Sequence, residues 1–166
     1  LKIPSKLQRI SDYTFSKYIS LTEIKIPGNI REIGYKSFSG CSGLREISIP
    51  STVKTVGIGA FENCTELKDI SLPTTFTEIN YYTFSGCTSL TTLTLHSKLT
   101  TINNYAFAGC KSLTEIHCKN SNPPLIGENT FRDVNRIGCK IFVPSKRAKK
   151  SYSTALYWNE FTIYIE

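Results

Sequence analysis

Phenylalanine recurs in this chain at Phe15, Phe38, Phe61, Phe84 and Phe107, 23 residues apart each time, and Phe131 follows after 24. Leu21, Leu44, Leu67, Leu90 and Leu113 keep the same step, as do Ile24, Ile47, Ile70, Leu93 and Ile116. A further column holds Ile3, Ile26, Ile49, Leu72 and Leu95. A fixed period shared by several apolar columns is the signature of a repeat architecture rather than of one closed core. A unit this short cannot bury its own apolar side, so a neighbouring copy must cover it.

The motif L-x-x-I-x-I, followed by Pro27, Pro50 or Pro73, places its last two apolar residues at period two, as a half-buried strand requires. Proline has no N–H for a ladder, so it marks the strand end. A second apolar pair follows, such as Val53 and Val56 or Phe76 and Ile79, and then Gly34, Gly57, Asn80, Asn103 or Gly127. Those residue types tolerate left-handed backbone, which predicts a tight turn there. The short stretch through "AFENC" reads as one helical turn or an irregular bend. Stacking the units turns each Leu, Ile and Phe column into a ladder inside a coil. At a strand spacing of about 4.8 Å, some six coils give a solenoid roughly 25–30 Å long.

The stretch "LREISIPSTVKTVGIGAFENC" resembles the BspA-type leucine-rich repeat, through its L-x-x-I-x-I-P, I-G, A-F and C-x-x-L elements. The resemblance covers about residues 1–131, as five full repeats plus partial ones. It implies a right-handed leucine-rich-repeat solenoid, β-rich, with a parallel sheet on one face and short helical turns or loops elsewhere. It also implies a surface or secreted protein of adhesive or host-binding type, and it carries over no binding residue, because the matching positions are core positions. The segment from "NSNPPLIGENTF" to "CKIFVPSKRAKKSYSTALYWNEFTIYIE" is similar to the closing segment of Bacteroides-like members.

Residues 132–166 read as a cap with a short helix. Ile141, Val143 and Pro144 repeat the strand pattern; Ala148, Tyr152, Ala155 and Leu156 fall at helical spacing before the bulky Trp158, Phe161, Ile163 and Ile165. Terminal repeats of a solenoid are atypical because they cover its open end. The chain opens in mid-repeat at Leu1, Ile3 and Pro4 and contains no methionine, so a processed or trimmed chain is expected. No linker or charge block divides it, so residues 1–166 read as a single solenoid domain, expected to be monomeric. No apolar run is long enough to span a bilayer.

Cys41, Cys64, Cys87 and Cys110 share one column, with side chains expected to point the same way, which disfavours bridging and predicts buried free thiols. Cys118 replaces a core Ile or Leu. Cys139 fits no column and is expected to be the exposed thiol. There is no C-x-x-C pair, and His96 and His117 stand 21 residues apart, so no zinc site and no cofactor are expected. No G-x-S-x-G, phosphate-binding glycine loop or isolated carboxylate pair is present, which argues against an enzyme.

Outward strand residues should align in rows across successive coils. One row holds Glu23, Glu46, Asp69, Thr92 and Glu115; the next holds Lys25, Ser48, Ser71, Thr94 and His117; beside them run Arg45 and Lys68. Stacked carboxylates repel, so either Arg45 and Lys68 compensate them or a basic partner does. The residues of these rows other than Ser48 and Ser71 are the candidate site for an extracellular protein or glycan ligand. Tyr35, Tyr81, Tyr82 and Tyr105 near the turn form a second candidate surface. Much of the net charge of +7 lies late, in Arg132, Arg136, Lys140, Lys146, Arg147, Lys149 and Lys150. That run reads as a solvated cap helix or as a patch for acidic glycans, and no nucleic-acid fold accompanies it. A structural spacer that merely projects another part of a larger protein is the alternative function.

Overall fold

The computed structural model describes residues 2–166. In chain order its strands are β1 (Arg9–Ile10), β2 (Glu32–Ile33), β3 (Glu46–Ser48), β4 (Thr55–Val56), β5 (Asp69–Ser71) and β6 (Glu78–Ile79). There follow β7 (Thr92–Leu95), β8 (Thr101–Ile102), β9 (Glu115–Cys118), β10 (Leu125–Ile126), β11 (Lys140–Val143), helix α1 (Lys146–Thr154), a 3-10 turn (Trp158–Glu160) and β12 (Thr162–Ile165). Every pairing is parallel, and the chain winds into a solenoid of about seven turns. One long side carries β3–β5 and then β7–β9–β11–β12; the opposite side carries β1–β2–β4 and then β6–β8–β10. Register follows the sequence period, with Glu46 opposite Asp69 and Thr92 opposite Glu115.

Proline sets the strand lengths. Leu95 O accepts from Lys119 N at 2.9 Å and Val143 O from Glu166 N at 3.0 Å. In the corresponding place Ile49 faces Pro73, which has no N–H to give, and β3 stops at Ser48. The segment Leu21–Ile26 alternates buried and exposed residues at its end but forms no strand; Arg45 N reaches Thr22 O at 3.2 Å.

The turn stretch makes a third inter-coil ladder that its sequence does not announce. Phe15, Phe38, Phe61, Phe84 and Phe107 each donate their N–H to the next coil, at Ser37, Ala60, Thr83, Ala106 and Thr130, over 2.7–3.0 Å. Left-handed backbone occurs here, but not at Gly34, Gly57, Asn80, Asn103 or Gly127, where it was expected. It falls in two columns further on: Tyr13, Lys36, Gly59, Tyr82 and Tyr105, then Lys17, Gly40, Asn63, Gly86, Gly109 and Asp133. The earlier Gly/Asn column exists for close approach. A Cβ on Gly57 would lie 2.5 Å from Tyr35 N, and one on Gly34 2.8 Å from Ile10 O. Where Asn takes the place, its side chain bonds the previous coil instead, Asn80 Nδ2 to Val56 O at 2.9 Å.

The core is continuous from Ile3 to Ile163. The phenylalanines stack with centroids 5.1–5.6 Å apart, worth roughly 0.5–1.5 kcal/mol per pair beyond area burial. Trp158 and Phe161 close the stack edge-on against Phe131, and Trp158 Nε1 donates to Pro124 O at 2.7 Å. Helix α1 is capped by Ser145, whose Oγ accepts from Ala148 N, and it buries Ala148 and Tyr152. Leu156, expected on that helical face, lies beyond the helix and is exposed. The chain then adds a further strand, β12, that its sequence pattern did not announce.

Candidate functional site

The period-two alternation of the strands decides which side chains reach solvent, so the outward rows of the sequence are rows in the structure. Glu23, Lys25, Arg45, Glu46, Lys68, Asp69, Thr92 and Thr94 are exposed, and Glu115 and His117 are half-buried. The structure does not gather all ten into one place. It divides them into two halves of the strand face.

The first half is a groove of about 970 Å³, lined by Glu23, Lys25, Glu46 and Asp69 together with Lys2, Ser48 and Ser71, and bounded by Gly28 and Pro50. Ile24, Ile26 and Ile47 also line it. Glu46 and Asp69 are register neighbours, so their side chains stand about 5 Å apart at the Cβ atoms. Among the described residues neither Arg45 nor Lys68 forms an ion pair, and none of the three groove carboxylates does. Arg45 and Lys68 occupy the adjoining position on each strand and, like Glu46 and Asp69, are exposed. The groove thus carries three carboxylates and two lysines, Lys2 and Lys25, and among the described residues none of the carboxylates is held in an ion pair.

The second half carries Thr92, Thr94, Glu115 and His117 and extends into the cap. His117, Phe142 and Tyr164 are outward register neighbours on β9, β11 and β12, and their rings form a ladder at 4.8 and 5.6 Å. His117 Nδ1 lies 2.7 Å from Glu166 Oε1 and Nε2 3.6 Å from Glu115 Oε2. Lys119 Nζ reaches both Glu166 oxygens, at 2.8 and 2.6 Å. Bonds from Lys119 first and His117 second hold the Glu166 carboxyl below the usual carboxylate range. Phe142 and Tyr164 were absent from the sequence-based site. The signal was present, since "KIFV" and "TIYI" each place an aromatic between two aliphatics, but the second segment had no proline to mark it as a strand.

The cysteine column is buried, and each thiol has a partner. Cys41, Cys64, Cys87 and Cys110 Sγ donate to the carbonyls of Phe15, Phe38, Phe61 and Phe84 at 3.0–3.5 Å. Burial pushes Cys41 up to about 11 and Cys110 up to about 12. Cys139, expected to be exposed, is fully buried and pushed up to about 12 by desolvation. The reason is the Asn135–Cys139 turn, in which Cys139 N–H bonds Asn135 O and Gly138 N–H bonds Asn135 Oδ1. Among the described residues no three His, Cys, Asp or Glu side chains converge as a metal ion would require. Among the described residues no helix is long and apolar enough to cross a membrane.

The model of the BspA type leucine rich repeat region matches this chain over residues 1–114 and 32–156, in six copies. A leucine rich cell surface protein from Faecalibacterium prausnitzii is similar in structure, with a TM-score of 0.68 and 27% identity over 93% of this chain and 37% of that one. The Treponema pallidum leucine-rich repeat protein has a TM-score of 0.66 and 27% identity over 70% of this chain and 57% of its own. A Bacteroides ovatus leucine-rich repeat protein, 23% identical over 99% of this chain and 54% of its own, shares the fold with a TM-score of 0.63. The chain thus spans between 37% and 57% of the length of these proteins. No curated protein sequence matches at a significant level. Six copies of the repeat model, together covering residues 1–156, place this chain in the BspA type leucine-rich repeat family.

Proposed function

We propose that this chain is a ligand-binding, adhesive module of a bacterial surface or secreted protein, and that its strand-face groove holds a basic, extended segment of a protein ligand. The observation that carries this reading is the row Glu23, Glu46 and Asp69, which lines a groove of about 970 Å³ and, although Lys2 and Lys25 line it too, forms no ion pair among the described residues. Carboxylates stacked one strand apart repel each other. Lys or Arg side chains entering the groove relieve that repulsion, whereas exposed internal pairs would contribute little. Ser48 and Ser71 add hydroxyls that can bond the backbone of the incoming segment. Resemblance to a cell surface protein of Faecalibacterium prausnitzii supports the location.

The test is biolayer interferometry of the immobilised chain against matrix proteins and Lys/Arg-rich peptides, at physiological and several-fold higher salt. The variant is Glu23→Gln/Glu46→Gln/Asp69→Asn. Saturable binding that the variant weakens about tenfold or more supports the groove. Binding unaffected by the variant refutes it, and no binding to any ligand favours a spacer.

A second reading has its own observation. Helix α1 opens with Lys146, Arg147 and Lys149 and no acidic residue in its first turn, the unfavourable sign for a helix start. An acidic glycan bound there would offset it. Retention on heparin that is lost steeply with salt, and lost in Lys146→Ala/Arg147→Ala/Lys149→Ala, would assign acidic-polymer capture to the cap.

A further inference from the structure

We propose that the strand-face groove selects a ligand of two signs, an extended peptide segment in which an Asp or Glu stands two or three residues from an Arg or Lys. This rests on the groove reading above and deepens it, because it gives the groove's lysines a role beside its carboxylates. The 23-residue step puts Lys2, Lys25, Ser48 and Ser71 in one outward row and Glu23, Glu46 and Asp69 in the next, and all of them line the same groove. Strand register fixes the far end of both rows, with Glu46 opposite Asp69 and Ser48 opposite Ser71.

Coil by coil, the charge of the lining is graded. The coil of Lys2 gives it a positive group, the coil of Glu23 and Lys25 gives it both signs, and the coils of Glu46 and Asp69 give it negative groups. Arg45 and Lys68, which would level that gradient, are not part of the lining. Among the described residues neither lysine of the groove forms an ion pair, and none of its carboxylates does. Exposed charges of both signs thus share one concavity and leave each other unpaired.

Spacing turns the gradient into a preference. At about 4.8 Å per coil and about 3.3 Å per residue, Lys25 lies roughly 8 Å from Glu46 and roughly 12 Å from Asp69. Two or three residues of extended ligand cover about 7–10 Å. A basic side chain set between Glu46 and Asp69 therefore brings a carboxylate two or three residues away within reach of the flexible Lys25 ammonium. Arg suits the first place, because its planar fork can face two carboxylates at once. A wholly basic segment relieves the repulsion between Glu46 and Asp69 only by setting its other charges against Lys25 and Lys2. A wholly acidic one meets the carboxylates instead.

The rest of the strand face has no equivalent. At the cap end Glu115, His117, Lys119 and Glu166 already hold one another, and between the two ends the same rows carry the uncharged Thr92 and Thr94. Within the groove, Ser48 and Ser71 continue the row of Lys25 alongside the carboxylates, where their hydroxyls can bond the ligand backbone. A Cβ on Gly28 would meet nothing within 4 Å, so the wall there does not obstruct the segment.

Biolayer interferometry of the immobilised 166-residue chain tests this with two short blocked peptides of Gly, Ser and Thr. Both carry a pair of arginines, and they differ only in having Asp or Asn three residues before that pair. The expected result at physiological salt is that the Asp peptide binds about threefold or more tighter than the Asn peptide, although it carries less positive charge. Lys2→Gln/Lys25→Gln removes that preference and leaves binding of the Asn peptide at least as strong as in the parent. Both positions are exposed, and unchanged thermal melts confirm folding. A parent that binds the Asn peptide as tightly or more tightly, and loses both peptides in Glu46→Gln/Asp69→Asn, would overturn the ligand of two signs and leave the groove standing. A preference that persists in Lys2→Gln/Lys25→Gln would overturn the role of the lysines. Binding of neither peptide, or binding indifferent to Glu46→Gln/Asp69→Asn, would overturn the groove reading and this inference with it.

Discussion

At the scale of single residues, Gly34 and Gly57 are placed by their neighbours, whereas Gly40, Gly59, Gly86 and Gly109 are placed by their own left-handed backbone. Gly57 has ordinary backbone, yet a Cβ on it would lie 2.5 Å from Tyr35 N and 2.6 Å from Gly34 C. These are backbone atoms and cannot swing away. Gly57→Ala is therefore expected to destabilise by more than the ~1 kcal/mol that alanine would otherwise gain over glycine, measured as a lower urea midpoint at unchanged m-value. The cysteines follow the same logic. Each thiol of the column donates to the previous coil's Phe carbonyl, which also accepts a backbone N–H, so a buried weak donor is satisfied without leaving the core. With their pKa values pushed upward by burial, all six cysteines, Cys139 included, are expected to resist a thiol reagent in the native protein at neutral pH. All should react once it is denatured. Rapid native labelling of Cys139 would contradict its placement.

At the scale of elements, β12 is held by a combination that sequence reading did not anticipate. It pairs with β11 along its length, and Glu166 ties its end to β9 and to Lys119 through His117 Nδ1 and Lys119 Nζ. The Glu166 pKa is depressed in the fold, with Lys119 as the first cause. A depressed carboxyl contributes stability that is complete above its unfolded value and is lost as pH falls through the folded one. Acidification below about pH 4.5, the ordinary value for this group, is thus expected to loosen β12. Thermal melts followed by Trp158 fluorescence should show this, and Glu166→Gln should be less stable at neutral pH and show a smaller acid dependence. An unchanged acid profile in the variant would remove Glu166 from this role.

At the scale of the whole molecule, stability is a sum of coil terms and neighbour interfaces, and the Phe stack runs through all of them. Phe61 is fully buried between Phe38 and Phe84. Phe61→Ala is expected to cost about 3–5 kcal/mol and to split the stack. Unfolding seen by Trp158 fluorescence, at the cap, should then separate from unfolding seen by far-UV circular dichroism, while the two coincide in the parent chain. Coincident transitions in the variant would mean that the coils unfold as one unit despite the break. The same linear order gives the molecule distinct surfaces: a groove of carboxylates and lysines at one end of the strand face and an aromatic ladder at the other.

By itself the sequence determined what repetition determines. A 23-residue period in Leu, Ile, Phe and Cys leaves no arrangement but stacked coils that bury those columns, and period-two alternation names the outward rows from Glu23 to His117. Tertiary structure decided everything that depends on the distance between coils. It decided that Gly34 and Gly57 serve close approach while the left-handed turn falls two residues later. It decided that Cys139 turns inward, that among the described residues Arg45 and Lys68 form no ion pair with Glu23, Glu46 or Asp69, and that Phe142 and Tyr164 extend the row of His117. The reason is physical: periodicity fixes which face of the chain meets its neighbour, whereas side-chain partners across coils are set by the rise and rotation of each coil, which no single repeat encodes.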